Sequence, residues 1–89
     1  MKAIVTVVGK DKVGIIAFVC ARLAEHNVNV LDISQTVMQG YFNMIMLTDI
    51  SEADLPLAEL SAGMKQAGEE MGVVIRMQRE DIFSAMHRV

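Results

Sequence analysis

The sequence predicts an α+β fold in which a four-stranded antiparallel sheet carries two helices on one face. Four segments of strand length have continuous or alternating apolar residues, and two longer segments repeat apolar residues at three- and four-residue spacing. The chain has 89 residues, of which 53% are hydrophobic. This is enough apolar material for one core, so we expect a single domain over residues 1–89.

The spacing of apolar residues changes near residue 13, and this change separates the first strand from the first helix. Residues 2–8 form an almost continuous apolar run that ends at Gly9, which is typical of a strand inside a sheet. From about Gly14 to His26 the apolar spacing predicts a helix. Its predicted buried stripe consists of Ile16, Val19, Cys20, Leu23 and Ala24. Asn27 favours the left-handed conformation in which helices often end.

Two strands joined by a hairpin are predicted next. Residues 28–38 alternate between apolar and polar side chains, which indicates a half-exposed strand at a sheet edge. Its predicted apolar side consists of Leu31, Ile33 and Val37, opposite Asp32, Ser34 and Thr36. Gln39 and Gly40 suit a tight turn, and the apolar run from Tyr41 to Asp49 predicts an inner strand.

The second helix is predicted to begin near Asp54, with Pro56 close to its first turn. Its predicted buried stripe consists of Leu57, Leu60, Met64, Ala67 and Met71. Gly72 suits the left-handed end of this helix, and residues 73–79 predict the fourth strand.

The order strand, helix, strand, strand, helix, strand implies two right-handed crossovers and therefore a ferredoxin-like βαββαβ sandwich. The core of this domain is expected over about residues 2–79. Over about residues 80–89, the apolar spacing predicts a short C-terminal helix capped by Asp81. Because so short a helix is marginal alone, it is expected to pack on its own sheet or on a neighbouring subunit.

Composition disfavours several classes of function. The net charge is −3 and the isoelectric point is near 5.2, so a nucleic acid or an anionic membrane is not expected as a partner. The sequence has no apolar run of about 18 residues and no signal-peptide pattern, so we expect a cytoplasmic protein. With Cys20 as the single cysteine, and His26 and His87 far apart, we expect no disulfide, metal site or cofactor.

Three known uses of this architecture lack their characteristic residues. RNA-recognition domains stack bases on aromatic residues of the middle strands, but Tyr41 and Phe42 are adjacent and so lie on opposite faces. Heavy-metal carriers need two cysteines in the first loop. An acylphosphatase-like enzyme needs an arginine in that loop, whereas residues 9–14 contain Asp11 between two lysines. No catalytic residues are predicted, and an acylphosphatase-like hydrolase remains a distant alternative.

The first loop reads Gly9-Lys10-Asp11-Lys12-Val13-Gly14 and is followed by an apolar pair, and the second strand begins near Asn29-Val30. These segments resemble the ACT domain family, in particular small stand-alone bacterial members and the ACT domains of the glycine cleavage system repressor. The resemblance spans about residues 2–79. It implies a non-catalytic regulatory module that binds a small amino acid or a related metabolite between paired domains.

The resemblance also implies a ligand site at this loop. Gly14 would let a ligand approach the backbone, and N–H groups of the first helical turn, beginning at Ile15, would bind its carboxylate. Asp11 would receive the amino group, although the same residue could simply be a solvated turn acid. Val13 stands where the family commonly has proline, which leaves one more backbone N–H. Asn29 would reach the ligand from the same or an adjacent subunit.

Phe18 suggests where subunits could meet. On a helical wheel it lies opposite the predicted buried stripe and beside Arg22, so we expect it to be exposed in an isolated domain. With the uncovered sheet face, this favours at least a homodimer, with Phe18 and Arg22 at the interface. The main alternative function is a protein-interaction module that binds no ligand.

Overall fold

The computed structural model describes residues 1–10 and 13–81. The elements are β1 (Lys2–Lys10), α1 (Ile15–Glu25), β2 (Asn29–Met38), β3 (Tyr41–Asp49), α2 (Leu57–Met71) and β4 (Val73–Arg79). This order confirms the predicted ferredoxin-like βαββαβ fold. The predicted C-terminal helix lies outside the described residues from position 82 onward. Neither described helix is long and apolar enough to cross a bilayer.

The four strands form one antiparallel sheet in the order β2-β3-β1-β4. As predicted, β1 and β3 are inner strands and β2 lies at an edge. Alternate residues of β1 point toward the helices, and Ala3, Val5 and Val7 are fully buried there. The opposite face of the sheet is not covered by α1 or α2.

The core lies between the helices and one face of the sheet. Its strand side chains include Met44, Met46 and Met77, each at most 4% exposed. Unbranched methionine side chains fill irregular space, which is how this core packs with few aromatic residues. The buried Thr48 hydroxyl donates a hydrogen bond of 2.8 Å to the carbonyl oxygen of Ala3, so this polar side chain has a partner.

Left-handed residues occur at the three predicted turns. Gln39 and Gly40 have φ angles of 51° and 81°, as a two-residue hairpin between twisted strands requires. Asn27 has φ 59° just after α1, and Gly72 has φ 81° at the end of α2. The predicted positions of these chain reversals are therefore confirmed.

The buried stripe of α1 agrees with the prediction at Val19 and Leu23 and differs from it at the ends of the stripe. Ile15, Val19 and Leu23 are its buried residues. Ile16 and Cys20 are half-buried along one border of the stripe, and the prediction that Ala24 lies on it is wrong because Ala24 is exposed. The adjacent pair Ile15 and Ile16 allows two stripes with the same spacing, and contact with the sheet selects the one that begins at Ile15.

The start of α2 lies three residues beyond Asp54, near which it was predicted, and Pro56 stands at its first turn as predicted. The helix starts at Leu57 after Pro56, and no side chain caps its N-terminus. The Asp54 carboxylate instead accepts a hydrogen bond from Nδ1 of His26 at the end of α1, at 3.0 Å. The backbone N–H of Asp54 also donates to the carbonyl oxygen of His26, which ties the α2 approach to the end of α1.

Strand β2 contains an irregularity between Val30 and Asp32 in its pairing with β3. Beyond it, Ile33 and Val37 pair with buried β3 residues and so share the helix side of the sheet, as the alternation predicts. They remain 41% and 57% exposed, because the helices do not extend over this edge. The sheet thus ends in a ten-residue strand with an uncovered apolar side.

Candidate functional site

The connection from β1 to α1 presents the first turn of the helix to solvent. Gly14 is the N-cap residue, with φ 90° and ψ 2°, and its carbonyl oxygen accepts a hydrogen bond of 2.9 Å from the N–H of Phe18. The preceding N–H groups, from Ile15 to Ala17, have no acceptor within the helix. Together with the helix dipole they favour an anion at this end.

Among the described residues, none covers the solvent side of this turn at Gly14. A Cβ atom at Gly14 would meet no heavy atom of the described residues within 4 Å, and Val13 is fully exposed. Ile15 is 1% exposed with its side chain in the core, so this side chain is not available to a ligand. Asp11, the predicted acceptor for an amino group, lies outside the described residues.

Asn29 lies at the other end of the sheet from this turn. It pairs with Asp49, which pairs with Lys2 at the start of β1, whereas the turn follows Lys10 at the end of β1. At about 3.3 Å per residue, the two ends of β1 are about 26 Å apart. Asn29 and the α1 turn of one chain therefore do not meet in a common site.

Phe18 is less exposed than its helical-wheel position predicts. Its ring packs at the border of the core and is half-buried, so the prediction of an exposed side chain is wrong. The Arg22 guanidinium lies 5.5 Å from the ring centroid, in the range of a cation–π contact. Arg22 also forms ion pairs with Glu25 at 3.7 Å and Glu70 at 3.3 Å. Contacts within the chain thus already engage both residues predicted at an interface.

A groove of about 230 Å³ runs between α1 and α2. Arg22 and His26 line it from α1, and Glu59, Gly63 and Glu70 line it from α2. The sequence does not predict this groove, because its two walls, which come nearest in the chain at His26 and Leu55, are at least 29 residues apart and no local pattern pairs them. No group of three potential metal ligands occurs within residues 1–10 and 13–81.

Among the described residues, Asp49, which pairs with Asn29, has a pKa that departs from its ordinary value. Hydrogen bonds from the hydroxyl and the backbone N–H of Ser51, at 2.6 and 2.9 Å, lower the pKa of Asp49 below its ordinary value of 3.8. The N-terminal ammonium group, 3.8 Å away, and Lys2 lower the pKa further. This arrangement holds the turn after β3 and contributes nothing to the α1 site in the same chain.

Comparison with known families identifies the fold more narrowly. The sequence profile of the ACT domain matches residues 2–78, which contain the six elements up to the penultimate residue of β4. The chain belongs to the ACT domain family. Members of the ACT family are commonly regulatory and bind ligands. The resemblance of the first loop and the second strand to this family is therefore confirmed.

Relatives of similar length support the same assignment. A UPF0237 protein of Bifidobacterium longum is 56% identical over 88 residues, which cover 99% of this chain and 98% of the relative. The structure of an ACT domain protein from Streptococcus pneumoniae is 42% identical, with a TM-score of 0.83 and 98% of each chain covered. The chain is thus similar to small, stand-alone ACT proteins.

A more distant structural relative is about twice as long as this chain. A protein assigned as a glycine cleavage system transcriptional repressor is 20% identical, with a TM-score of 0.74, over 88% of this chain and 44% of that one. At this identity the likeness shows the ACT fold alone.

Proposed function

We propose that this ACT domain is a non-catalytic regulatory module of the cytoplasm that binds a small amino acid at the start of α1. The observation that carries the proposal is the open helical turn behind Gly14, which no side chain among the described residues caps. An amino-acid carboxylate matches the backbone N–H groups at Val13 and Ile15. Asp11 supplies a negative charge for the amino group of the same ligand.

The position of Asn29 favours a site shared by two chains. In an antiparallel pairing of two β2 edges about a twofold axis, the start of one strand lies beside the end of the other. The end of β2 at Met38 pairs with Tyr41, which pairs with Lys10 just before the α1 turn. Asn29 of the partner subunit would then approach the end of the sheet that carries the ligand site.

The uncovered edge supports this pairing. A long edge strand offers unpaired backbone groups to another strand, and the exposed Ile33 and Val37 add apolar surface beside them. A ligand held between two chains stabilises the pair by its higher affinity for the paired state. The fraction of paired chains would thereby rise with the ligand concentration.

A protein-interaction module without a ligand is the second candidate. The same uncovered β2 edge favours it, because an edge strand can pair with a strand of another protein. The two candidates differ in whether a small molecule stabilises the fold.

A thermal-shift screen against the twenty amino acids tests the proposed function. A ligand at ten times its Kd stabilises a folded chain by about 1.4 kcal/mol, and each kcal/mol raises the Tm of a domain this size by roughly 4–8 °C. We expect one or a few amino acids to raise Tm in this way. No rise at millimolar concentrations would favour the interaction module.

Two substitutions locate the site. Asp11→Ala and Gly14→Val should each remove the ligand-dependent rise in Tm, the first by loss of the carboxylate and the second because valine is strained at φ 90°. Glu69→Ala, which removes an exposed carboxylate of α2 outside the groove, is the control and should retain the full rise. A rise retained in both loop variants would place the ligand elsewhere.

A further inference from the structure

Three apolar side chains lie beside the open turn at the start of α1. Val13 precedes the turn and is fully exposed, and Ile16 is half-buried at the border of the core. Val37 of β2 is 57% exposed. Val37 pairs with Phe42, which pairs with Gly9 near the end of β1, so Val37 lies at the end of the sheet from which the chain enters α1. We call Val13, Ile16 and Val37 the turn surface.

Ile16 lies on the flank of α1 that faces β2. Arg22 lies on the other flank, where it lines the groove between the helices and pairs with Glu70 of α2. At about 100° per residue, the buried Ile15 and Val19 fall between these two flanks. Because α1 is in contact with β2, Ile16 and Val37 border the same strip of surface between the helix and the strand.

The segments that carry Ile16 and Val37 offer no charge to a ligand. The first turn of α1 is Ile15-Ile16-Ala17-Phe18. The helix side of β2 carries Ile33, Gln35 and Val37, which pair with buried residues of β3. A charged ligand side chain placed on this strip would lose water without gaining a partner of opposite charge, and this loss is unfavourable.

The apolar part of the strip is short. Gln35 follows Val37 on the helix side of β2 and is exposed, so the apolar surface next to the turn extends only about 7 Å along the strand. This length suits a side chain of three or four carbon atoms. A longer polar chain would reach Gln35 but would first have to pass over Val37.

We propose that the ligand of the α1 turn is an amino acid with a branched aliphatic side chain, namely valine, leucine or isoleucine, which lies on Ile16 and Val37. This inference rests on the proposed function, because the ligand carboxylate must first bind the N–H groups of the turn. The carboxylate and the amino group are common to all amino acids, so the turn surface provides the selectivity. Each methyl group that it buries strengthens binding by about fourfold.

A comparison of three ligands on the native chain tests the class. Valine has two more carbon atoms than alanine, and threonine has the shape of valine with a hydroxyl in place of one methyl group. In isothermal titration calorimetry, valine should bind on the order of tenfold more tightly than either of the other two.

The outcomes separate this inference from the proposed function. Equal affinities for the three ligands, or tighter binding of threonine, overturn the inference and leave the proposed function in place, because the carboxylate and the amino group still bind. If none of the twenty amino acids binds, the proposed function and the inference fail together.

Two matched valines locate the contact. Val37→Thr removes a methyl group from the turn surface, and Val74→Thr makes the same change on the opposite face of the sheet, in β4; the native side chains are 57% and 56% exposed. We expect Val37→Thr to lower the ratio of valine affinity to alanine affinity by roughly fourfold, and Val74→Thr to leave it unchanged. Circular dichroism checks that both variants remain folded.

The affinity ratio is insensitive to changes in chain pairing. A substitution that weakens the proposed pairing of β2 edges lowers the affinities for valine and alanine by the same factor, so the ratio stays constant. A ratio unchanged by Val37→Thr, or lowered equally by Val74→Thr, overturns the proposed contact of the ligand with Val37.

Discussion

Gly14 and Ile15 are adjacent in sequence but have different roles in the fold. The left-handed backbone of Gly14 turns the chain from β1 into α1 and leaves space in front of the first turn. Ile15 directs its side chain into the core and is almost completely buried. The glycine could be predicted from the sequence because a tight turn needs it, whereas the orientation of Ile15 depends on how the helix lies on the sheet.

Asp49 provides a prediction at the scale of one residue. Hydrogen bonds from Ser51 lower its pKa in the folded chain, so its contribution to stability is present above the pKa of the unfolded chain and is lost as the pH falls through the lower folded value. Carboxyl chemical shifts followed by NMR should give a midpoint below 3.8 for Asp49. Ser51→Ala should move this midpoint upward, and an unchanged midpoint would contradict the assigned cause.

At the scale of elements, strands were predicted more accurately than helix faces. The bounds predicted for β3 and β4 agree with the structure, because apolar runs and turn residues mark both ends. The face of α1 was predicted only in part, since the adjacent Ile15 and Ile16 fit the helical period equally well and Ile15 is the more buried of the two. The contact between His26 and Asp54 joins residues 28 positions apart, and no local pattern predicts such a pair.

Two glycines of α2 show how closely this helix approaches the sheet. A Cβ atom at Gly68 would lie 2.7 Å from the carbonyl oxygen of Val73 and 2.9 Å from a side-chain carbon of Ile75. At Gly63 a Cβ atom would meet no atom of residues 1–10 and 13–81 within 4 Å. Gly68 therefore allows the helix to contact β4, although the residue is unfavourable in a helix, and Gly63 has no such role in packing.

The pair Gly68→Ala and Gly63→Ala tests this contact. Gly68→Ala should lower the free energy of unfolding by roughly 1–3 kcal/mol, because the helix must move away from the strand. Gly63→Ala should raise it by about 0.5–1 kcal/mol through helix propensity alone. Urea denaturation measures both values. Equal stability of the two variants would show that α2 does not depend on close contact at Gly68.

At the scale of the whole molecule, the proposed site is incomplete in one chain. The open turn at Gly14 and the side chain of Asn29 lie at opposite ends of the sheet. The sequence resemblance indicates both residues but not their separation, which follows from strand register. A site built from both therefore requires two chains, and the uncovered β2 edge offers the means to join them.

The most direct test of the proposed ligand site is an NMR titration of the ¹⁵N-labelled chain with the amino acid that raises its Tm. We expect saturable shifts of the backbone N–H signals of Val13, Gly14 and Ile15, together with the side-chain amide of Asn29. Shifts confined to other parts of the chain, with the signals of the α1 turn unchanged at saturation, would contradict it.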